Sequence, residues 1–119
     1  MIDFRKFIKS MSFAIQGIVS MFITENNARI HLLATTLVVS AGFYFHLSSN
    51  EWLWVLLAIA LVWIMEAVNT VIETLVDLVS PDFNPLAGKA KDIAAGAVLI
   101  ASIFAIIVGI IIFIPKLSL

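Results

Sequence analysis

Four polar side chains lie at helical spacing within an otherwise apolar stretch of the sequence. They are separated by three, four and four residues, which places them on one face of a single helix: Glu66, Asn69, Glu73 and Asp77. An ionisable group at membrane depth costs about 2.5–3.5 kcal/mol even on the lenient insertion scale. Such a face must contact a partner, a metal ion or water, and we interpret it as the chemical site of the chain.

Carboxylates in this pattern suit a hard cation. Mg²⁺ is usually held by one or two carboxylates together with substrate phosphates, and Glu25, Glu73 and Asp77 offer ligands of this kind. Interhelical hydrogen bonding by the same acids is the alternative interpretation. A carboxylate-bridged di-iron site is not favoured, because that class uses Glu-x-x-His repeats and the residue three positions after Glu66 is an asparagine.

Phosphate binding would depend on a short basic segment. The sequence contains neither a Gly-x-x-x-x-Gly-Lys-Ser/Thr loop nor a Gly-x-Gly-x-x-Gly motif. Binding of a nucleotide would therefore depend on Lys91, on a metal ion, and on the loop and helix start at 88–92, since helix N-termini favour phosphate. Without the acidic face, Lys89 and Lys91 would be ordinary cytoplasmic loop residues. His31 and His46 lie at opposite ends of the first predicted span, so we interpret each as an interfacial or hydrogen-bonded residue rather than a metal ligand.

The composition is that of an integral membrane protein, because 62% of the 119 residues are hydrophobic whereas soluble domains are usually roughly 45–50% apolar. The formal charge of −1 gives no basic footprint for nucleic acid. The absence of cysteine excludes disulfides and thiolate chemistry. The length supports one domain, residues 1–119, and we expect a homo-oligomer because three short spans pack poorly alone around a buried site.

Helical periodicity predicts the elements that hold these residues. Apolar residues recur at helical spacing over about residues 3–24, with Arg5, Lys6 and Lys9 mostly opposite them. This pattern is typical of an amphipathic helix on the membrane surface, and a core helix of a soluble bundle is the alternative. Three transmembrane helices follow, over about 29–48, 51–79 and 90–114. The predicted fold class is an all-α integral membrane protein, and its N-terminus, which lacks the features of a signal peptide, is expected to be retained.

Basic residues predict the orientation of the spans. Six of the seven lysines and arginines flank the surface helix or the loop before the third span: Arg5, Lys6, Lys9, Arg29, Lys89 and Lys91. The turn at 48–51 carries none, so the positive-inside rule places the N-terminus in the cytoplasm and the C-terminus outside. Glu25, the polar face of the second span and Lys91-Asp92 then lie near the same side of the membrane. A cytoplasmic substrate and a lipid could meet there.

Two separated motifs carry a resemblance to a known family. One is the segment 66–77, Glu-Ala-Val-Asn-Thr-Val-Ile-Glu-Thr-Leu-Val-Asp, and the other is 88–99, Gly-Lys-Ala-Lys-Asp-Ile-Ala-Ala-Gly-Ala-Val-Leu. Together with Glu25 and Arg29, they resemble the signature of the small bacterial diacylglycerol kinase family, which includes the undecaprenol kinases. The resemblance covers nearly the whole chain. It implies a homotrimeric bundle of three-span protomers in the bacterial cytoplasmic (inner) membrane, with active sites formed between subunits.

The resemblance also implies a reaction, the transfer of the γ-phosphate of ATP to the hydroxyl of a lipid alcohol, diacylglycerol or undecaprenol, at the cytoplasmic face. By it, Glu66 is the general base, and Glu25 and Glu73 hold Mg²⁺ with the ATP phosphates. The residues that it places around the nucleotide or the reacting groups are Asn69, Asp77, Lys91 and Asp92. The chemistry is sound, since a metal ion and a lysine stabilise charge on the phosphoryl group while a carboxylate accepts the alcohol proton.

The sequence departs from the best-known diacylglycerol kinases at positions that bear on the nucleotide edge and on the choice of lipid. Those enzymes carry Tyr, Arg, Gln and a different acidic-aromatic-His loop where this chain has Phe13, Lys6, Ile30 and Asp82-Phe83-Asn84. The pair Ile30-His31 and Pro85 look more like the undecaprenol kinase branch.

Two other classes of function remain open from the residues alone. One is a small ion or proton pathway along the acidic face, and the other is a structural membrane protein in which the acids only join helices. A pathway should show polar residues through the whole depth of the bilayer. The segment 52–65, which forms the outer half of the second span, has none, so the pattern favours the enzyme.

Overall fold

The computed structural model describes residues 1–117, and within that range the protein is helical with short connections. Four helices follow one another along the chain: α1 (Phe4–Thr24), α2 (Asn26–Tyr44), α3 (Ser49–Val79) and α4 (Pro85–Leu117). The all-α fold class is confirmed, and no strand occurs in the described range. The last two residues of the predicted domain 1–119 lie outside that range.

The start of α4 differs most from the predicted boundaries. The helix begins at Pro85 rather than near residue 90, because proline suits the first helical position and the side chain of the preceding residue caps the helix. Asn84 Oδ1 accepts hydrogen bonds from the backbone N–H groups of Leu86 (2.9 Å) and Ala87 (3.4 Å). The segment 88–92, expected to hold a loop and a helix start, therefore lies inside the first turns of α4.

Three helices are long and apolar enough to cross a membrane by length and composition, namely α1, α3 and α4. This set differs from the prediction, which took α2 as the first span and α1 as a surface helix. Contacts between α2 and α3 run in antiparallel order: His31 with Glu66, Thr35 with Trp63, and Gly42 beside Trp52. α2 therefore passes through the same layer as α3, and the predicted roles of α1 and α2 stay predictions.

α1 extends away from the other helices and joins them at its C-terminal end. Residues 4–20 are exposed, including the large apolar side chains on one face, while Met21 is buried. The guanidinium of Arg29 holds this end, because it donates hydrogen bonds to the carbonyls of Phe22 (3.1 Å) and Ile23 (2.6 Å). Those carbonyls belong to the last turn of α1, where a positive charge also suits the helix dipole.

α3 and α4 share the most extensive packing, whereas α2 packs mainly against α3 and meets α4 only through side chains such as Val38. A cluster of buried apolar residues lies between the helices toward the end that holds the α2–α3 turn: Leu47, Val55, Ala58, Val108 and Ile112. Ion pairs join α3 to α4 at both ends, with Glu51 to Lys116 at 3.1 Å at one end and Asp77 to Lys91 at the other. The two helices are therefore fastened along their length.

α2 approaches α3 closely where it carries a glycine. A Cβ atom at Gly42 would lie 2.5 Å from Cη2 of Trp52, so no larger residue fits without movement of the indole ring. The chain then turns through His46, which has a left-handed φ of 53°. Ser48 caps α3, since its hydroxyl accepts from the N–H of Glu51 (3.2 Å) and the Glu51 carboxylate accepts from the N–H of Ser48 (2.9 Å).

Candidate functional site

The polar face of α3 continues the face that buries its apolar residues. Val55, Ala58 and Val62 are buried, and the next positions at the same helical spacing are Glu66 and Asn69. Their exposed fractions are 1% and 4%, so the packing that forms the core also encloses a carboxylate and an amide. The predicted face is therefore real, but its burial decreases along the helix, since Glu73 is half-buried and Asp77 is exposed.

Glu66 is buried without the hydrogen bonds that a buried carboxylate needs. Neither of its oxygens, nor Oδ1 of Asn69, has a hydrogen-bond partner within residues 1–117. The imidazole Nε2 of His31 lies 3.3 Å from Glu66 Oε2, but the two groups are not aligned as a hydrogen bond. An unsatisfied buried polar group costs about 1–3 kcal/mol. Side chains that served only to join helices would be paired with one another, so this environment favours a chemical role.

Asn69 links the buried acid to the half-buried one. Its Nδ2 donates a hydrogen bond of 3.1 Å to Oε1 of Glu73, one turn further along α3. The antiparallel register of α2 and α3, continued toward the start of α2, brings Glu25 to the level of Glu73, and Glu25 is itself half-buried. Among the described residues, no group of three or more His, Asp or Glu side chains is assembled to hold a metal ion.

Asp77 and Lys91 form an ion pair across α3 and α4 at the polar end of the site. They line a cleft of about 170 Å³ together with the segment that connects the two helices. Asp92, the next residue along α4, is exposed and does not line this cleft. The first backbone amides of α4 are occupied, since those of Leu86 and Ala87 donate to the Asn84 side chain. The helix start that was expected at 88–92 therefore lies at Pro85 instead, and the nucleotide roles of Lys91 and Asp92 stay predictions.

His31 is the residue of the site that the sequence did not indicate. The sequence predicts an interfacial or hydrogen-bonded side chain without indicating its partner, and the structure places its imidazole against the buried carboxylate. A second contact was also not predicted: the indole N–H of Trp63 donates to Oγ1 of Thr35 at 3.0 Å. The only signal in the sequence is that His31 follows Glu25 by six residues at the same end of the span.

These features define a class of protein, an all-helical integral membrane protein with a buried acid, an amide and an ion pair along one interhelical face. Comparison with known proteins gives the family. The family model described as prokaryotic diacylglycerol kinase matches residues 12–113. The chain belongs to this family and is a lipid kinase, which confirms the resemblance seen in the two motifs.

The individual relatives are named either undecaprenol kinase or diacylglycerol kinase. The chain is 40% identical over 115 residues to a protein of Bacillus subtilis named undecaprenol kinase, an alignment that covers 97% of this chain and 94% of the relative. It is 40% identical over 109 residues to a diacylglycerol kinase of Synechocystis, covering 91% of this chain but only 62% of that relative's length. It is 31% identical over 104 residues to the diacylglycerol kinase of Escherichia coli strain K12, covering 87% of this chain and 85% of the relative.

Proposed function

We propose that this protein transfers the γ-phosphate of ATP to the hydroxyl of a membrane lipid alcohol, undecaprenol or diacylglycerol, at the cytoplasmic face of the bacterial cytoplasmic membrane. The family and the names of the relatives support a lipid alcohol as acceptor. The relative that covers 97% of this chain is named undecaprenol kinase, which favours undecaprenol. The Ile30-His31 pair and Pro85 favour the same lipid.

The observation that carries the proposal is the buried, unpaired carboxylate of Glu66. An alcohol is a weak nucleophile, and a carboxylate within hydrogen-bonding reach can take its proton as the new bond forms. The lipid oxygen attacks the γ-phosphorus, the bond from that phosphorus to the bridging oxygen breaks, and ADP leaves with that electron pair. The proton passes to Glu66. Asn69, whose Oδ1 is also unpaired, lies one turn away and would orient the reacting groups.

The nucleotide would lie at the polar end of the site. Lys91 offers a positive charge to the phosphates, and its present partner, Asp77, is exposed enough to exchange that contact with a ligand. Asp92 is proposed to contact the nucleotide from the exposed side of α4. Carboxylate oxygens are the ligands that Mg²⁺ prefers, and the register of α2 against α3 brings Glu25 and Glu73 to one level of the helix pair, which fits a metal held together with phosphate. A bound metal ion would neutralise charge on the transferring phosphoryl group.

A phosphorylation assay tests the reaction. Purified protein in lipid vesicles is incubated with ATP labelled in the γ-phosphate and with diacylglycerol, undecaprenol or ceramide. We expect label in undecaprenol or diacylglycerol, and no label in any lipid would refute the kinase proposal. Glu66→Gln should abolish transfer, whereas turnover within about threefold of the parent would remove Glu66 as the base. Asp3→Asn is the control, because Asp3 lies at the start of α1, away from the polar face of α3, and asparagine keeps its N-cap contact.

Cysteine labelling tests the cytoplasmic face. The chain has no cysteine of its own, so a single introduced thiol gives the whole signal. Phe83 is 94% exposed in the connection between α3 and α4, and Asn50 is exposed at the start of α3. A membrane-impermeant thiol reagent should label Phe83→Cys only from the cytoplasmic side and Asn50→Cys only from the opposite side. The reverse pattern would place the site out of reach of cytoplasmic ATP.

Mixing experiments test a homotrimer with shared active sites. Glu66 lies on α3 and Lys91 on α4, and both α1 and the outer surfaces of the bundle leave large apolar areas for neighbouring subunits. Inactive Glu66→Gln and Lys91→Ala chains, co-purified as mixed trimers, should regain activity where one interface combines the two intact residues. Mixed trimers as inactive as either parent would show that these two residues act from the same chain.

A further inference from the structure

Among the described residues, His31 is the only one whose basic or imidazole group lies within 4.0 Å of the Glu66 carboxylate. Its Nε2 is 3.3 Å from Glu66 Oε2, and the imidazole itself is largely buried, with 18% of its side chain exposed. Two basic side chains at the same end of the protein are engaged elsewhere. Arg29 donates to two carbonyls at the end of α1, and Lys91 pairs with Asp77. No other described ion pair includes Glu66.

The position of the His31 imidazole is fixed by α2, to which it belongs, and by the indole ring of Trp63 beside it. The edge of His31 meets Trp63, with ring centroids 6.2 Å apart. Trp63 is held in turn, because its indole N–H donates to Thr35 Oγ1, and the Thr35 hydroxyl donates to the backbone carbonyl of His31 at 2.7 Å. Phe22 also packs against the indole of Trp63, with ring centroids 5.1 Å apart. Three side chains, one from each of α1, α2 and α3, thus hold the ring beside the carboxylate.

We propose that His31 is the positioning residue for Glu66, its Nε2–H donating to Oε2 and leaving Oε1 to receive the proton of the lipid hydroxyl. The inference rests on the proposed function, in which Glu66 is the base. A carboxylate enclosed in a protein is costly to keep ionised unless a donor compensates it. The 3.3 Å separation is already within the range of a hydrogen bond, so only the alignment of the two groups has to change. Catalytic hydrogen bonds of this kind are often long before substrate binds and shorten in the complex.

Kinetics of two His31 variants test this role. His31→Leu removes the donor and should lower kcat by roughly 10²-fold, because a misplaced reacting group costs about that much. The KM values for ATP and lipid should stay within about threefold, since a positioning residue acts through Glu66 and not on substrate binding. His31→Gln keeps an N–H donor of similar reach and should restore most of kcat. His46→Asn is the control, because His46 lies in the turn at the far end of α2 and asparagine tolerates its left-handed φ.

Three kinetic results would overturn the proposal: unchanged kcat in His31→Leu, loss of activity in His31→Gln equal to that in His31→Leu, or a loss confined to KM. Failure of the underlying function is distinguishable, because it would leave the parent protein without phosphate transfer. Loss of folding is distinguishable by the size of the assembled protein and by His31→Gln, which conserves the polar side chain.

Nitrogen NMR provides a readout that does not depend on activity. The chain has two histidines, so protein labelled with ¹⁵N-histidine gives two imidazole signal sets, and His46→Asn assigns them. Glu66→Gln should shift the imidazole ¹⁵N resonances of His31 and leave those of His46 unchanged. His31 resonances that are the same in both proteins would overturn the proposed hydrogen bond.

Discussion

Replacement of Glu66 by methionine should stabilise the folded protein while it removes phosphate transfer. The side chain is 1% exposed, and in the substrate-free protein neither oxygen makes a hydrogen bond in the described range, because the contact with His31 at 3.3 Å is not aligned as one. Folding therefore encloses a polar group whose partner is not yet engaged. Methionine has a similar length and no polar atoms. Removing an unsatisfied buried group recovers about 1–3 kcal/mol, and replacing buried charges by apolar side chains of similar volume has comparable effects. We therefore expect Glu66→Met to raise the free energy of unfolding by about 1–3 kcal/mol.

The measurement is reversible unfolding in mixed micelles with increasing SDS, followed by the fluorescence of the three tryptophans. Glu73→Met is the matched control on the same helix, because Glu73 is half-buried and accepts a hydrogen bond from Asn69 at 3.1 Å. Loss of this hydrogen bond should lower the free energy of unfolding by about 1 kcal/mol, a change opposite in sign to that expected for Glu66→Met. A decrease in Glu66→Met, with assembly unchanged, would show that Glu66 is fully paired in the assembled protein and would refute this reasoning.

Three further predictions concern the packing, the metal and α1. Gly42→Ala should lower the free energy of unfolding by about 1–3 kcal/mol, because the new Cβ would lie 2.5 Å from an indole carbon. Gly109→Ala is the control and should leave the free energy of unfolding unchanged, because its Cβ meets nothing within 4 Å. Equal losses for the two variants in the same SDS titration would contradict the close approach of α2 to α3. Glu25→Gln and Glu73→Gln should each raise the Mg²⁺ concentration that half-maximal transfer requires, and unchanged titrations in both would remove the metal assignment. Arg29→Ala should speed hydrogen exchange in the last turn of α1, since two carbonyls lose their donor, and unchanged exchange would show that this contact does not hold the helix.

Helical spacing was enough to predict the polar face of α3, but not that one end of this face is buried and the other end exposed. Glu66 and Asn69 are enclosed, whereas Asp77 is exposed. All four residues satisfy the same periodicity, and their burial depends on how far the neighbouring helices extend along α3. That length is a property of tertiary packing, which spacing within one helix does not contain.

The contact between His31 and Glu66 was not predictable because it depends on the register of α2 against α3. An antiparallel pair can shift by one helical turn with little change in its apolar pattern, and each shift would bring a different residue to Glu66. The start of α4 was missed for a different reason. Two prolines near residue 85 indicated a loop, but Pro85 occupies the first helical position, where its missing N–H costs nothing.

The two ion pairs that join α3 to α4 have a consequence for how the protein responds to bilayer thickness. Glu51 and Asp77 are about 39 Å apart along α3 at 1.5 Å per residue, whereas a hydrocarbon core is about 30 Å thick. The extensive packing of α3 against α4, together with the ion pairs at both ends, opposes sliding of one helix past the other, so we expect the pair to meet a thinner membrane by tilting as one body. Tilting changes the height of Glu66 relative to the lipid headgroups. We therefore expect the acyl-chain length of the host lipids to change the turnover rate without contact with any residue of the site.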